Sequence, residues 1–267
     1  MNPIQAWKDF QDRSLYYQAV RRDGEEPVWQ EIAKDYDRLV YSEQQKETLL
    51  TKLTHRLHGI ETAIEIGAGS GTLTLPLVRH LREIAAVEPS AAMAAALHAS
   101  LAEHKIRNVS VFQEKWENMQ PAAADVVLAG GCLYVFYEID KVLRKMLACA
   151  KKKVLITHVG NCGLWHFDRL LLERLGAPKP CLFPPLSLLL DVLLHLQLPA
   201  VMDITFAKGR KCFTPEQWLR RCQRLLQLAE PPPVLLDFLM QEFSQDGDCW
   251  SMEEEVPLAV IELRKTS

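Results

Sequence analysis

The sequence predicts a doubly wound α/β fold: a mostly parallel, seven-stranded sheet with helices on both faces, plus N-terminal helices and a helical insertion before the last strand. Three observations predict it. Short β-rich runs alternate with helical patterns from Thr62 to His158, the pitch of βαβ units. The first of these runs ends in a cluster of glycines that opens a helix. The 267 residues, 48% hydrophobic and 24% charged, suffice for one large globular domain and are too apolar for disorder.

The first sixty residues read as helical. Trp29, Ile32, Ala33 and Tyr36 recur at helical spacing. Ser42 and Gln45 form a capping box before a helix whose apolar stripe is Leu49, Leu50, Leu53 and Leu57, with Gly59 as its stop. Thr62–Ile66 is the first strand, Thr72–Leu81 a helix, Glu83–Glu88 the second strand and Ala91–Glu103 an alanine-rich helix. Strands follow at Val109–Phe112, Asp125–Ala129 and Lys153–His158, with a helix over Ile139–Cys149 before the last of them.

Beyond residue 160 the pattern is less regular. Leu164–Leu175 and Leu186–Leu196 read as helices and Val201–Phe206 as a strand. Thr214-Pro-Glu-Gln217 is a strong helix start, with a capping threonine, proline at the first helical position and a capping-box glutamine. Pro231–Pro233 breaks that helix, another spans Val234–Phe243, and Pro257–Leu263 is the seventh strand. The expected organisation is an N-terminal helical cover over 1–60 and a binding domain over 61–267 with a helical insertion at about 207–256, together one structural domain.

Composition narrows the function. Lys+Arg 31 against Asp+Glu 34 leaves a net charge of -3. That argues against a nucleic-acid partner, whose phosphates are neutralised by a basic excess. The start of the chain has neither a basic leader nor an apolar core, and the apolar stretch Leu182–Met202 is interrupted by prolines, Asp191 and His195. Neither a targeting segment nor a membrane span is expected. The seven cysteines are scattered with no Cys-x-x-Cys pair, so reduced thiols in a cytoplasmic protein are expected. His55 and His58 share a helix face without a third ligand nearby, and no metal is expected.

The segment Glu65-Ile-Gly67-Ala68-Gly69-Ser-Gly71 carries the chemistry. Glycine between strand and helix allows a sharp turn and lets a ligand approach bare main-chain N–H groups. Glu88 ends the second strand, where ligands of open α/β sheets bind, and its carboxylate suits the vicinal hydroxyls of a ribose. A dinucleotide fingerprint from Gly67 would need Gly or Ala at position 72, which is Thr72, and Glu65 would repel a pyrophosphate. An acid, a glycine loop and a second acid suit a ligand with a ribose and a cationic amino-acid end.

With Val87-Glu88-Pro89-Ser90, this segment resembles the cofactor site of class I (Rossmann-like) S-adenosylmethionine-dependent methyltransferases. The resemblance is strong over about residues 61–158 and implies S-adenosyl-L-methionine as cofactor and S-adenosyl-L-homocysteine as product. It implies that Gly67, Ala68 and Gly69 pass under the methionine part, that Glu65 orients its ammonium, that Glu88 takes the ribose and that Gly71 is also cofactor-binding. Pro89 and Met93 fall near the adenine, and Trp116 covers its ring, while Lys115 stands where the family usually has an aspartate. Gly130 falls where the fourth strand meets the methyl donor, and the helix from Trp29 through Tyr36 resembles one that closes over the cofactor.

Methyl transfer from a sulfonium is an in-line displacement that mainly needs alignment, with a base only where the acceptor loses a proton. Ala129-Gly-Gly-Cys132 is not the Asp/Asn-Pro-Pro-Tyr/Phe of enzymes acting on exocyclic base amines. The reading is a methyltransferase acting on a small molecule, as a monomer or homodimer. An RNA methyltransferase and a catalytically silent cofactor-binding module remain open alternatives. Candidate bases are Tyr134 and His158, both expected at carboxyl ends of central strands, with His166 just beyond.

Overall fold

Aliphatic and β-branched residues build one sheet. In the computed structural model, which describes residues 2–33, 41–159, 170–176, 183–219 and 233–264, eight strands run in the order β3-β2-β1-β4-β5-β8-β6, with β7 pairing β8. They are β1 (Thr62–Ile66), β2 (Glu83–Val87), β3 (Val109–Phe112), β4 (Ala124–Gly130), β5 (Ala150–Val159), β6 (Ala200–Phe213), β7 (Ser244–Asp246) and β8 (Cys249–Arg264). The first five pair in parallel, and β8 is antiparallel to β5, β6 and β7. Strand order reverses between β1 and β4, which opens a cleft at their carboxyl ends.

The central strands are apolar on both sides because both faces are covered. Ile64, Ile66, Val127, Ala129, Val154 and Ile156 face one core. Ala63, Val126, Leu128 and Leu155 face the other. Helices α1 (Pro3–Arg13), α7 (Ile139–Cys149) and α8 (Leu186–His195) give Trp7, Leu143 and Leu189 to the first core. Helices α4 (Glu43–Arg56) and α6 (Ala91–Glu103) give Leu53 and Leu97 to the second. Between α1 and α4 lie α2 (Leu15–Asp23) and α3 (Glu25–Ala33). The capping boxes at Ser42/Gln45 and Thr214/Gln217 both form.

Three expectations need correction. The helix expected over 72–81 is cut to α5 (Thr74–Leu77) and a 3₁₀ turn at Val78–His80. Pro76 within it has no N–H to donate. Among the described residues strands number eight rather than seven, because β7 adds a short hairpin on β8.

The insertion expected at about 207–256 is also narrower, since β6 runs on to Phe213 and β8 starts at Cys249. Register explains the extension. Lys208 stands opposite Glu255 and Arg210 opposite Glu253, so a basic run on one strand meets an acidic run on the other. Helix α9 (Pro233–Glu242) and the Thr214/Gln217 cap lie within what is left of the insertion. Leu235 and Phe238 of α9 pack with Phe213, Trp218 and Met252.

Cys212 and Cys249 stand with Cα atoms 5.6 Å apart across the base of that insertion. Cys132 is a buried thiol, and Cys162, Cys181 and Cys222 fall outside the described residues. Among the described residues no helix is long and apolar enough to cross a membrane.

Candidate cofactor site

The glycine loop folds over the end of β2, with the N–H groups of Gly67 and Ala68 donating to the Val87 carbonyl at 2.8 and 3.1 Å. Gly67 has φ +63° and lies so close to the segment after β4 that a Cβ there would stand 2.7 Å from Cys132 Cβ. Only glycine fits both demands. Glu88 is buried and accepts from Gly69 N at 2.8 Å on one oxygen and from Ser90 N at 2.9 Å on the other. Each carboxylate oxygen has a second lone pair, so a pair of ligand hydroxyls can still be bound. Burial raises the Glu88 pKa, and the two N–H groups oppose that rise.

A cavity of about 290 Å³ opens above this loop. Of the residues expected to bind cofactor, Gly67, Gly69, Glu88, Pro89, Met93 and Trp116 line it, and so does Tyr134 of the candidate bases. Trp116 is buried under Lys145, whose Nζ lies 4.7 Å from the ring centroid. Its indole Nε1 is buried without a hydrogen-bond partner among the described residues.

Other expected residues stand behind the cavity. Glu65 is buried and accepts from Thr74 Oγ1 at 2.6 Å, on the far side of the loop. Burial pushes its carboxyl up to about 7. Ala68 packs in the second core. A Cβ on Gly71 would stand 2.7 Å from Leu97, and one on Gly130 would stand 2.4 Å from Leu73. These two glycines therefore let helices sit close to the loop. Tyr36 and His166 lie outside the described residues.

The roof comes from the N-terminal helices, through residues that sequence reasoning did not single out. Tyr16, Tyr17, Val20 and Glu25 line the cavity beside Trp29. Helix α1 docks on the segment after β4: Trp7 Nε1 donates to the Phe136 carbonyl at 2.8 Å and Gln11 Nε2 to the Tyr134 carbonyl at 2.6 Å. Tyr17 donates to the Val135 carbonyl at 2.9 Å. Lys115 pairs with Glu25 at 2.6 Å. Glu26 accepts from Ala91 N and Ala92 N at 3.2 and 3.1 Å, placing an anion on the positive end of α6. Burial pushes the Tyr16 and Tyr17 hydroxyls up, so both stay protonated. No local motif marks these residues; they reach the cavity only because α1 docks 120 or more positions away along the chain.

Tyr134 sits in a 3₁₀ turn, Leu133–Val135, just past β4. Its ring meets Tyr16 edge-on at 5.7 Å and Phe183 at 4.1 Å. His158 lies near the end of β5 and does not line the cavity. Its Nε2 is 3.1 Å from the Pro184 carbonyl, and burial lowers its pKa. Cys132 lines the cavity with Sγ donating to the Ile66 carbonyl at 3.1 Å. Burial and the nearby carboxylates keep this thiol protonated, unlike a nucleophilic cysteine.

Aromatic faces, a carboxylate with free lone pairs and a bare glycine loop fit an adenosyl group carrying a cationic sulfonium. Residues 64–155 match the family model described as "Methyltransferase domain". No curated protein matched the chain. Solved structures agree on the fold. The YcgJ protein from Bacillus subtilis is 16% identical with TM-score 0.56, over 83% of this chain and 100% of that one. The plantazolicin methyltransferase BpumL, solved with S-adenosylhomocysteine, is 12% identical with TM-score 0.58, over 98% of this chain and 99% of that one. Magnesium protoporphyrin IX methyltransferase from Synechocystis, also with S-adenosylhomocysteine, is 10% identical with TM-score 0.50, over 82% and 83%.

The sheet order, the glycine loop and the match over residues 64–155 agree on a methyltransferase-like fold.

Proposed function

We propose that the chain moves a methyl group from S-adenosylmethionine to a small-molecule acceptor by in-line displacement. The observation that carries this reading is the roofed cavity: among the described residues Glu25, Glu88, Glu117 and Glu138 line it with Lys115, Glu25 pairing with Lys115 and Glu138 with Lys8 and leaving Glu88 and Glu117 without a cation in the lining. A polyanionic acceptor would meet repulsion there and steric exclusion by α2 and α3.

The chain's own residues bind, orient and exclude water. Glu88 takes the ribose hydroxyls, Gly67 and Gly69 run under the methionine part, and Met93 and Trp116 pack at the adenine. Glu65 holds the loop from behind through Thr74. Tyr134 lines the acceptor end by contact, and His158 is the candidate base. Residues 1–60 act as cover and 61–267 as the catalytic part of one structural domain. The cofactor supplies an activated methyl group, so alignment inside the closed cavity does most of the work.

Calorimetry with S-adenosylhomocysteine tests the reading. Binding is expected, and Glu88→Ala is expected to weaken it about tenfold or more through the lost charge-assisted hydrogen bonds. Failure of both S-adenosylmethionine and S-adenosylhomocysteine to bind would overturn it. Unchanged affinity in Glu88→Ala would remove the ribose assignment alone.

A further inference from the structure

On the face of the sheet that carries the first core lies a row of side chains outside the cavity lining. Residues directly opposite one another on paired strands share a face, as do residues two apart on one strand. Ile156, Ile261 and Met202 make one such row across β5, β8 and β6, and Ile156 and Ile261 belong to the core beneath Trp116 and Cys132. His158, Ala259 and Ile204 make the next row toward the carboxyl edge, and Phe206 opposite Pro257 extends it. The outer end of this shelf is open and apolar: Met202 is 37%, Ile204 43% and Phe206 65% exposed. The opposite face of β6 is covered by α4, where Lys52 and Arg56 pair with Asp203.

The inner end holds a polar atom in need of a partner. The Pro184 carbonyl can only accept, so His158 Nε2, 3.1 Å away, carries the proton. Nδ1 then bears the lone pair, and it is buried with no hydrogen-bond partner among the described residues. Pro184 follows Phe183, whose ring lies 4.1 Å from that of Tyr134 in the cavity wall. Pro184 and Phe183 thus connect the His158 end of the shelf to the cavity wall at Tyr134.

Resting on the methyltransferase reading, we propose that this shelf binds the methyl acceptor, and that the acceptor is a lipophilic molecule with an acidic, phenol-like hydroxyl. Its apolar part lies over Met202, Ile204 and Phe206, and its hydroxyl donates to His158 Nδ1. The acceptor oxygen forms its new bond to the methyl carbon while the C–S electron pair stays on sulfur. The hydroxyl proton passes to His158 Nδ1, leaving a methyl ether, S-adenosylhomocysteine and an imidazolium that returns its proton to water.

The test uses the full chain loaded with S-adenosylhomocysteine, with 4-nonylphenol and 4-methylphenol as probes and calorimetry as readout. Nonylphenol is expected to bind roughly tenfold tighter or more, since each buried methylene adds affinity. Ile204→Ser with Phe206→Ser is expected to cost nonylphenol about tenfold in affinity while sparing methylphenol and S-adenosylhomocysteine. His158→Gln is expected to lower kcat for methyl transfer to nonylphenol about a hundredfold with little change in KM.

Equal affinity for the two phenols, or no binding of nonylphenol while S-adenosylhomocysteine still binds, would overturn the acceptor class and leave the methyltransferase reading standing. A homodimer that the Ile204/Phe206 double variant dissociates would assign the stripe to a second copy and also overturn it. Loss of S-adenosylhomocysteine binding in the unmodified chain would instead overturn the methyltransferase reading itself.

Discussion

The glycine loop and the β6–β8 ribbon are both tightly built, but from partners at different distances along the chain. In the loop, Glu88 is held by Ser90 two positions away and by Gly69 nineteen positions away, and Glu65 by Thr74 nine away. In the ribbon, Lys211 pairs with Glu254 at 3.4 Å while both side chains are almost fully buried. Gln45 Nε2 donates to that same carboxylate at 3.0 Å across 209 positions. Gly209 makes the contact possible, because a Cβ there would stand 2.2 Å from Ser42 Oγ. A binding loop can thus be assembled from one stretch of chain. The bolt that fixes the N-terminal cover's helix α4 to the sheet edge needs three stretches that meet only after folding.

Breaking the bolt should have the largest effect on stability. Lys211→Ala leaves Glu254 buried without its cation and should cost about 3–5 kcal/mol in urea denaturation. A loss no larger than that of an exposed ion pair would mean that the pair is solvated and the contrast between the regions is false.

Glu65 tests the loop side. Its folded pKa of about 7 lies above the ordinary 4.5, so the stability it contributes is fully present below about pH 4.5 and lost as pH rises through about 7. The span corresponds to about 3 kcal/mol. Glu65→Gln should remove that pH dependence and leave the protein more stable than its parent at pH 8, read as thermal denaturation midpoints across pH. A variant whose midpoint tracks the parent at every pH would show that Glu65 titrates normally.

Gly67→Ala should weaken S-adenosylhomocysteine by about 1–3 kcal/mol, since alanine at positive φ is strained and its methyl would press on Cys132. Its circular dichroism should stay unchanged; altered secondary structure would mean that the loop also carries the fold. The smallest effect is expected at the roof. Lys115→Ala removes a half-exposed pair with Glu25 and should change stability by about 1 kcal/mol or less. A larger loss would tie the cover to the cavity more firmly than its other contacts do.

The same contrast governs what could be read in advance. Strands β1 to β5, helices α6 and α7 and both capping boxes follow from local pattern, because hydrophobic period and capping chemistry act over a few residues. The cavity position of Gly67, Gly69, Glu88 and Trp116 follows equally, since the loop and strand ends fix it. The helix at Thr74–Leu77 is shorter than its apolar period predicts because Pro76 interrupts it. The extension of β6 and β8 was hidden because charged runs such as Lys208–Lys211 resemble a solvated insertion until their partners are known.

By itself, the sequence determined the sheet's class, the glycine loop and the acid at the end of the second strand, because each depends on backbone freedom and short-range periodicity. Only the tertiary structure decided which aromatic rings roof the cavity, that Glu65 stands behind the loop, and that His158 shares a face with Ile204. Those facts depend on strand register and helix docking, which sum many weak contacts between distant residues and leave no mark in any single stretch of chain.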